Sequence, residues 1–274
     1  MSDLVSTEWL SAHLGDVRVV DANWYMPDDP RNAHADYLAG HIPGAVYFDI
    51  DGIADHSTDL PHMMPSPREF SRLVGALGIG DRDTVVVYDH TGIFSAPRVW
   101  WMLKAMGHQT VKVLDGGLPK WKREGRAVET GPVNVSPKMF AAVPKPAIMR
   151  DFDAVMGIVN GKFAQMVDAR SNSRFTGAEP EPRAGVRGGH MPGARNVPWR
   201  SVVTDQGMLR PANELREAFG PVDLERPIVT TCGSGISAAI LMLALDEIGA
   251  RNVALYDGSW TEWGARPEAP VVTG

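Results

Sequence analysis

The chain repeats itself. VVDANW (19–24) is answered by MVDARS (166–171), and AGHIPGA (39–45) by GGHMPGA (188–194). VVVYDHTGIFSA (85–96) is answered by IVTTCGSGISA (228–238), and LDGGLPKW (114–121) by YDGSWTEW (256–263). Four matches in one order, offset by 142 to 149 residues, predict a duplicated domain rather than one large sheet.

Each copy alternates strand and helix patterns. Short β-branched runs at Val17–Asp21, Thr84–Tyr88 and Val111–Leu114 predict buried parallel strands, as do Gln165–Asp168, Pro227–Thr231 and Asn252–Tyr256. Helices are expected over Ser95–Met106, closed by Gly107, and over Ser237–Ile248, closed by Gly249, each with a serine at the N-cap. The fold class is therefore α/β, two tandem domains each with a parallel sheet flanked by helices. The stretch 131–150 carries Pro132, Pro137, Pro144 and Pro146 without periodicity and reads as a stiff linker. The expected division is 1–130, a linker at 131–150, and 151–274.

Composition narrows the function. A formal charge of −6 argues against a nucleic-acid footprint, and no apolar run approaches the ~20 residues that span a bilayer. The first residues lack a basic segment followed by an apolar one, so no secretory leader is expected. The histidines have no metal-ligand spacing, so neither a metal nor a cofactor is expected. A single cysteine excludes an internal disulfide and fits the reducing cytoplasm.

That cysteine, Cys232, follows an apolar strand and opens the loop CGSGIS. Free cysteines usually pack in cores. Packing alone does not call for Gly233 and Gly235 beside a thiol. A strand-to-helix loop of glycines turns backbone N–H groups inward at a helix N-terminus, where they would hold a thiolate or an anion formed on it. The other repeat carries Asp89 at about this place, with one extra residue in the loop. A carboxylate is not the same nucleophile, so the first half is expected to be an inactive wall and scaffold.

Together, GHIPGA and GGHMPGA, FDID, SAPRVWWM, RFTGAEPEPR, CGSGIS and YDGSWTEWGARP resemble the two-domain rhodanese (sulfurtransferase) family, in its 3-mercaptopyruvate sulfurtransferase branch. The family's usual loop has Val and Thr or Ser after the second Gly, and Ile236 and Ser237 stand there here. The resemblance implies an enzyme in which Cys232 takes sulfur from 3-mercaptopyruvate, releases pyruvate, and passes the sulfur to a thiol, thioredoxin or cyanide. With no second cysteine, an external acceptor is required. It also implies that Arg174 and Arg183 bind the substrate, whose carboxylate and keto oxygen suit a guanidinium fork. The amides of Gly233, Gly235, Ile236 and Ser237 would line the site. Ser234, His62 and Asp51 would form a proton relay, the alternative being that His62 and Asp51 only secure an interface. Arg187 is a candidate rim charge. His41 and His190 recur in both halves and read as turn residues.

Three rivals are distinguishable. Thiosulfate sulfurtransferases resemble a loop with Arg and Lys directly after the cysteine, whereas Gly233 and Ser234 bring no charge. A cysteine phosphatase needs an arginine closing the loop, and none occurs from Cys232 to Leu245. A non-catalytic sulfur carrier would not need both arginines.

Overall fold

The computed structural model describes residues 2–274, which fall into two units. The first comprises 2–56, 64–145 and the excursion 204–209, and the second comprises 57–63, 146–203 and 210–274.

The first unit runs β1 (Leu4–Val5), α1 (Thr7–His13), β2 (Arg18–Asp21), α2 (Ala33–Ala39), β3 (Val46–Tyr47), α3 (Pro67–Ala76), β4 (Val85–Tyr88), α4 (Ala96–Ala105), β5 (Val111–Leu114) and α5 (Gly117–Arg123). The second runs β6 (Met149–Arg150), α6 (Phe152–Gly161), β7 (Gln165–Asp168), α7 (Asn172–Thr176), β8 (Arg195–Asn196), α8 (Ala212–Phe219), β9 (Ile228–Thr231), α9 (Ile236–Glu247), β10 (Val253–Tyr256) and α10 (Ser259–Trp263). The sheets have the same plan, β1-β5-β4-β2-β3 and β6-β10-β9-β7-β8, with every pairing parallel. Central strands β4 and β9 are buried at all four positions, which is why they read as unbroken apolar or β-branched runs. Each sheet reverses its strand order between neighbours, β2 and β4 in one unit, β7 and β9 in the other. Ligands in open parallel sheets sit outside the carboxyl ends of such strands.

Side-chain caps start most of the peripheral helices. Ser6, Asn32, Ser66, Asp151 and Ser171 each accept an N–H from the first turn. The two central helices do not follow the expected serine caps. Ser95 precedes α4 but makes no cap, because its hydroxyl donates instead to Ala22 O at 2.7 Å. Helix α9 begins two residues early in the SA register, behind Gly235 in the left-handed region (φ 84°), so Ser237 lies inside it. The closing glycines behave as expected, Gly107 and Gly249 having φ 96° and 94°.

The proline-rich stretch is not a free spacer. Gly131 N donates to Leu38 O, Lys138 N to Gly75 O, Val143 N to Met106 O and Lys145 N to Ala105 O, which lays 131–145 along the first unit. Met149 and Arg150 are already strand β6 of the second sheet. Extended, proline-stiffened backbone finds these carbonyls one at a time, with no periodicity for a sequence pattern to display.

Candidate active site

Cys232 is the first residue after β9 and is only 2% exposed. Its Sγ accepts the Gly235 N–H at 3.1 Å, so the loop closes on the sulfur itself. The carbonyls of the loop face the other way. Trp260 N donates to Cys232 O at 2.9 Å, and Thr261 gives both its N–H (2.9 Å) and its hydroxyl (2.7 Å) to Gly233 O. Ser259 Oγ accepts the Cys232 N–H at 3.3 Å and donates to Tyr256 O at 2.8 Å. The start of α10 thus holds the back of the loop and frees its front for amides. Helix α9 has no side chain capping its N-terminus. The resulting surface is electropositive without a charged residue in the loop.

The first repeat shows what such a loop holds. There Asp89 is fully buried, and its carboxylate accepts N–H groups from Thr91, Gly92, Phe94, Ser95 and Ala96 at 2.8–2.9 Å. Leu118 N donates to Asp89 O, matching the Trp260 bond to Cys232. The β4–α4 loop is an anion cradle filled by its own side chain.

Arg174 reaches the cysteine loop from across the β7–β9 gap. A Cβ built on Gly233 would lie 3.1 Å from its Nη2 and 3.7 Å from Nη1, so a side chain at 233 would press on the guanidinium. Arg174 precedes the proline-rich loop of RFTGAEPEPR. It lies on α7, a helical turn started by Ser171 and stopped by Gly177 (φ 80°). Arg183 does lie in that loop, and its Nη1 donates to Thr261 Oγ1 at 3.3 Å, the hydroxyl that holds Gly233.

Behind Arg174 stands a chain of charge the sequence reading missed. Glu181 Oε2 accepts Arg174 Nη2 at 2.5 Å, and Oε1 accepts Arg170 Nη1 at 2.7 Å. Arg170 also donates to both oxygens of Asp168 and to Gly189 O, and lies 4.2 Å over the Trp260 ring. Burial works against the charge on Arg170, but the two carboxylates outweigh it and raise its pKa. Glu181 between two prolines in EPEPR was the visible signal.

The remaining expectations divide. Ser234, Ile236 and Ser237 lie on the Cys232 loop or the first turn of α9. His62 is buried on the 57–63 segment of the second unit, with a left-handed backbone (φ 60°). Asp51 belongs to the first unit, where its Oδ2 accepts Trp24 Nε1 at 2.9 Å. Arg187 is not a rim charge, because its guanidinium donates to the carbonyls of Trp263, Gly264, Arg266 and Ala269. His41 and His190 are buried, and each uses Nδ1 on a backbone carbonyl of a preceding helix, Tyr37 O and Phe175 O. Among the described residues no cluster suited to a metal occurs, and no helix is long and apolar enough to cross a membrane.

The rhodanese-like domain model matches residues 6–124 and again 152–266. The chain belongs to the rhodanese family. This rhodanese is 42% identical over 272 residues to the 3-mercaptopyruvate sulfurtransferase of Escherichia coli K12, covering 97% of this chain and 96% of the relative. It is also 42% identical to thiosulfate/3-mercaptopyruvate sulfurtransferase 1, mitochondrial, of Arabidopsis thaliana, over 98% of this chain and 77% of the relative. Among solved structures it resembles SseA from Escherichia coli, a 3-mercaptopyruvate sulfotransferase, with a TM-score of 0.87 and 39% identity. That match covers 95% of this chain and 99% of the other.

Proposed function

We propose that this rhodanese is a sulfurtransferase that uses 3-mercaptopyruvate as donor and Cys232 as the sulfur carrier. One observation carries the reading: the lone thiol sits on a loop whose carbonyls are tied back by 259–261, with the Arg174 guanidinium against Gly233. The names of its full-length relatives support the donor. In the first step the Cys232 thiolate attacks the donor sulfur, an S–S bond forms and the C–S bond breaks. The electron pair leaves on carbon as the enolate of pyruvate, which takes a proton. The persulfide rests on the loop amides of Gly233, Gly235, Ile236 and Ser237. An acceptor thiolate, such as that of thioredoxin, or cyanide then attacks the outer sulfur and returns the Cys232 thiolate.

Arg174 and Arg183 hold the 2-oxo acid. Ser234, His62 and Asp51 carry the donor's thiol proton toward the enolate carbon. The left-handed backbone at His62 supports a functional placement, since such strain gathers where geometry is prescribed. The first half, with Asp89 in its cradle, does no chemistry, and the active part is 151–274. The enzyme works in the cytoplasm.

The test compares donors. Wild-type protein should release pyruvate from 3-mercaptopyruvate far faster than it uses thiosulfate, and its mass should rise by one sulfur atom. Cys232→Ser should lose both the pyruvate and the mass gain. A reversed donor preference would replace the reading with a thiosulfate sulfurtransferase, which the uncharged Gly233 and Ser234 argue against.

A further inference from the structure

We propose that Glu181 is a positioning residue that fixes the plane and offsets the charge of Arg174, and so fits the site to a donor with a single negative charge. The inference rests on the reading of Arg174 as a substrate-binding residue and adds the electrostatic class of what it accepts.

The argument starts from Arg170, because it cannot itself serve a ligand. Its Nε and Nη2 are taken by Asp168, Nη2 also by Gly189 O, and Nη1 by Glu181. Its side chain is 1% exposed. It is a fixed post, and its function is to hold Glu181. Glu181, itself 4% exposed, then takes the Nε–Nη2 edge of Arg174, at 3.3 Å on Oε1 and 2.5 Å on Oε2. A guanidinium gripped along its Nε–Nη2 edge is fixed in its plane, and Nη1 takes no part in that grip. The held Nη2 is the nitrogen nearest Gly233, 3.1 Å from a Cβ built there with Nη1 at 3.7 Å, so the grip sets how the guanidinium meets the Cys232 loop.

The charges follow the same chain. Asp168, Arg170, Glu181 and Arg174 are linked in series, and two carboxylates cancel two guanidinium groups. An incoming anion therefore meets Arg174 as a directed pair of donors whose charge is already matched. One carboxylate uses those donors fully. A second negative charge on the same small donor gains nothing further from Arg174 and is repelled by Glu181, which is only 4% exposed. Glu181, behind the arginine, thus adds to the bias against dianions that the uncharged Gly233 and Ser234 already set.

The single cysteine makes a clean probe, since the alkylation rate of Cys232 by iodoacetamide reads occupancy of the site. Pyruvate supplies the monoanion and sulfate the dianion. In the wild type pyruvate should protect better than sulfate. In Glu181→Gln pyruvate protection should weaken about tenfold and sulfate protection should strengthen, while the KM for 3-mercaptopyruvate rises about tenfold and kcat changes by less than about threefold. On an Arg174→Gln background the same Glu181→Gln change should no longer weaken pyruvate protection. A parallel loss for both anions, or an equal shift without Arg174, would show a merely structural carboxylate and overturn the proposal.

Should Glu181→Gln not fold, Glu181→Asp carries the test. It keeps the charge but not the reach, so pyruvate protection should fall with the pyruvate-to-sulfate ratio kept, and undiminished pyruvate protection overturns the proposal. Wild-type protein that shows the protection pattern but releases no pyruvate from 3-mercaptopyruvate would sink the donor assignment and leave the role of Glu181 standing.

Discussion

Ser259 and Gly117 stand at the same place in the two repeats, YDGSW and LDGGL, with nearly the same backbone, φ 49° and 51°. A left-handed conformation is free for glycine and costs a serine about 1 kcal/mol. The second unit retains the serine because its hydroxyl takes the Cys232 N–H, a bond worth about 1 kcal/mol. Ser259→Gly should therefore leave the melting temperature within a few degrees of wild type while pyruvate release drops severalfold, because the loop behind the sulfur loosens. Full turnover in that variant would remove Ser259 from the machinery. The aligned repeats put a serine against a glycine in plain sight. Its meaning needed the φ angle and the bond to Cys232, which come from strands far apart in sequence.

Comparing the β4–α4 and β9–α9 loops explains why one scaffold element does chemistry and its twin does not. Both follow the central strand and precede a helix buried on nearly every side. In the first, one carboxylate consumes five amides. In the second, the sulfur accepts the Gly235 N–H, and the helix start has no side-chain cap. Asp89→Asn would turn an NH2 group toward several of those five N–H donors. It should destabilise the protein by about 2–4 kcal/mol, seen as a lower denaturant midpoint. Persulfide formation on Cys232 by the folded fraction should persist. A midpoint unchanged from wild type would mean the carboxylate is not the keystone of that loop. The long strands of these units were legible because buried parallel strands leave unbroken β-branched runs. The edge strands β1, β3, β6 and β8 were not, because two residues carry no period.

Taken as a whole, the molecule couples its connecting stretch to the first core through a histidine. His108 is 3% exposed, contacts Gly80 O through Nε2 at 3.2 Å, and stacks on Phe140 from the 131–145 stretch. Burial lowers its pKa below 6.5, against the smaller upward pulls of Gly80 O, Asp83 and Asp81. A histidine depressed in the folded state is neutral there, while the unfolded chain takes up a proton below about pH 6.5. Stability from this group is intact above that value and is lost as pH falls from 6.5 toward the lowered folded pKa. The unfolding free energy, read from denaturant midpoints at each pH, should drop between pH 7.5 and 5.5, by up to about 1 kcal/mol per pH unit from this residue. His108→Gln should flatten that part of the slope, and an equally steep slope in the variant would reject the assignment.

By itself the sequence determined the duplication, the α/β class, the central strands and helices, and the loop that bears the only thiol. Each of these is written in local period, in glycine placement or in one half repeating the other. Tertiary structure alone decided that Arg174 is clamped by a buried Glu181, that Ser259 and Thr261 hold the back of the Cys232 loop, and that 131–145 wraps a unit instead of bridging two. Those facts depend on which strand ends lie side by side at a sheet's reversal point, and side-chain contacts across that gap leave no periodic trace along the chain.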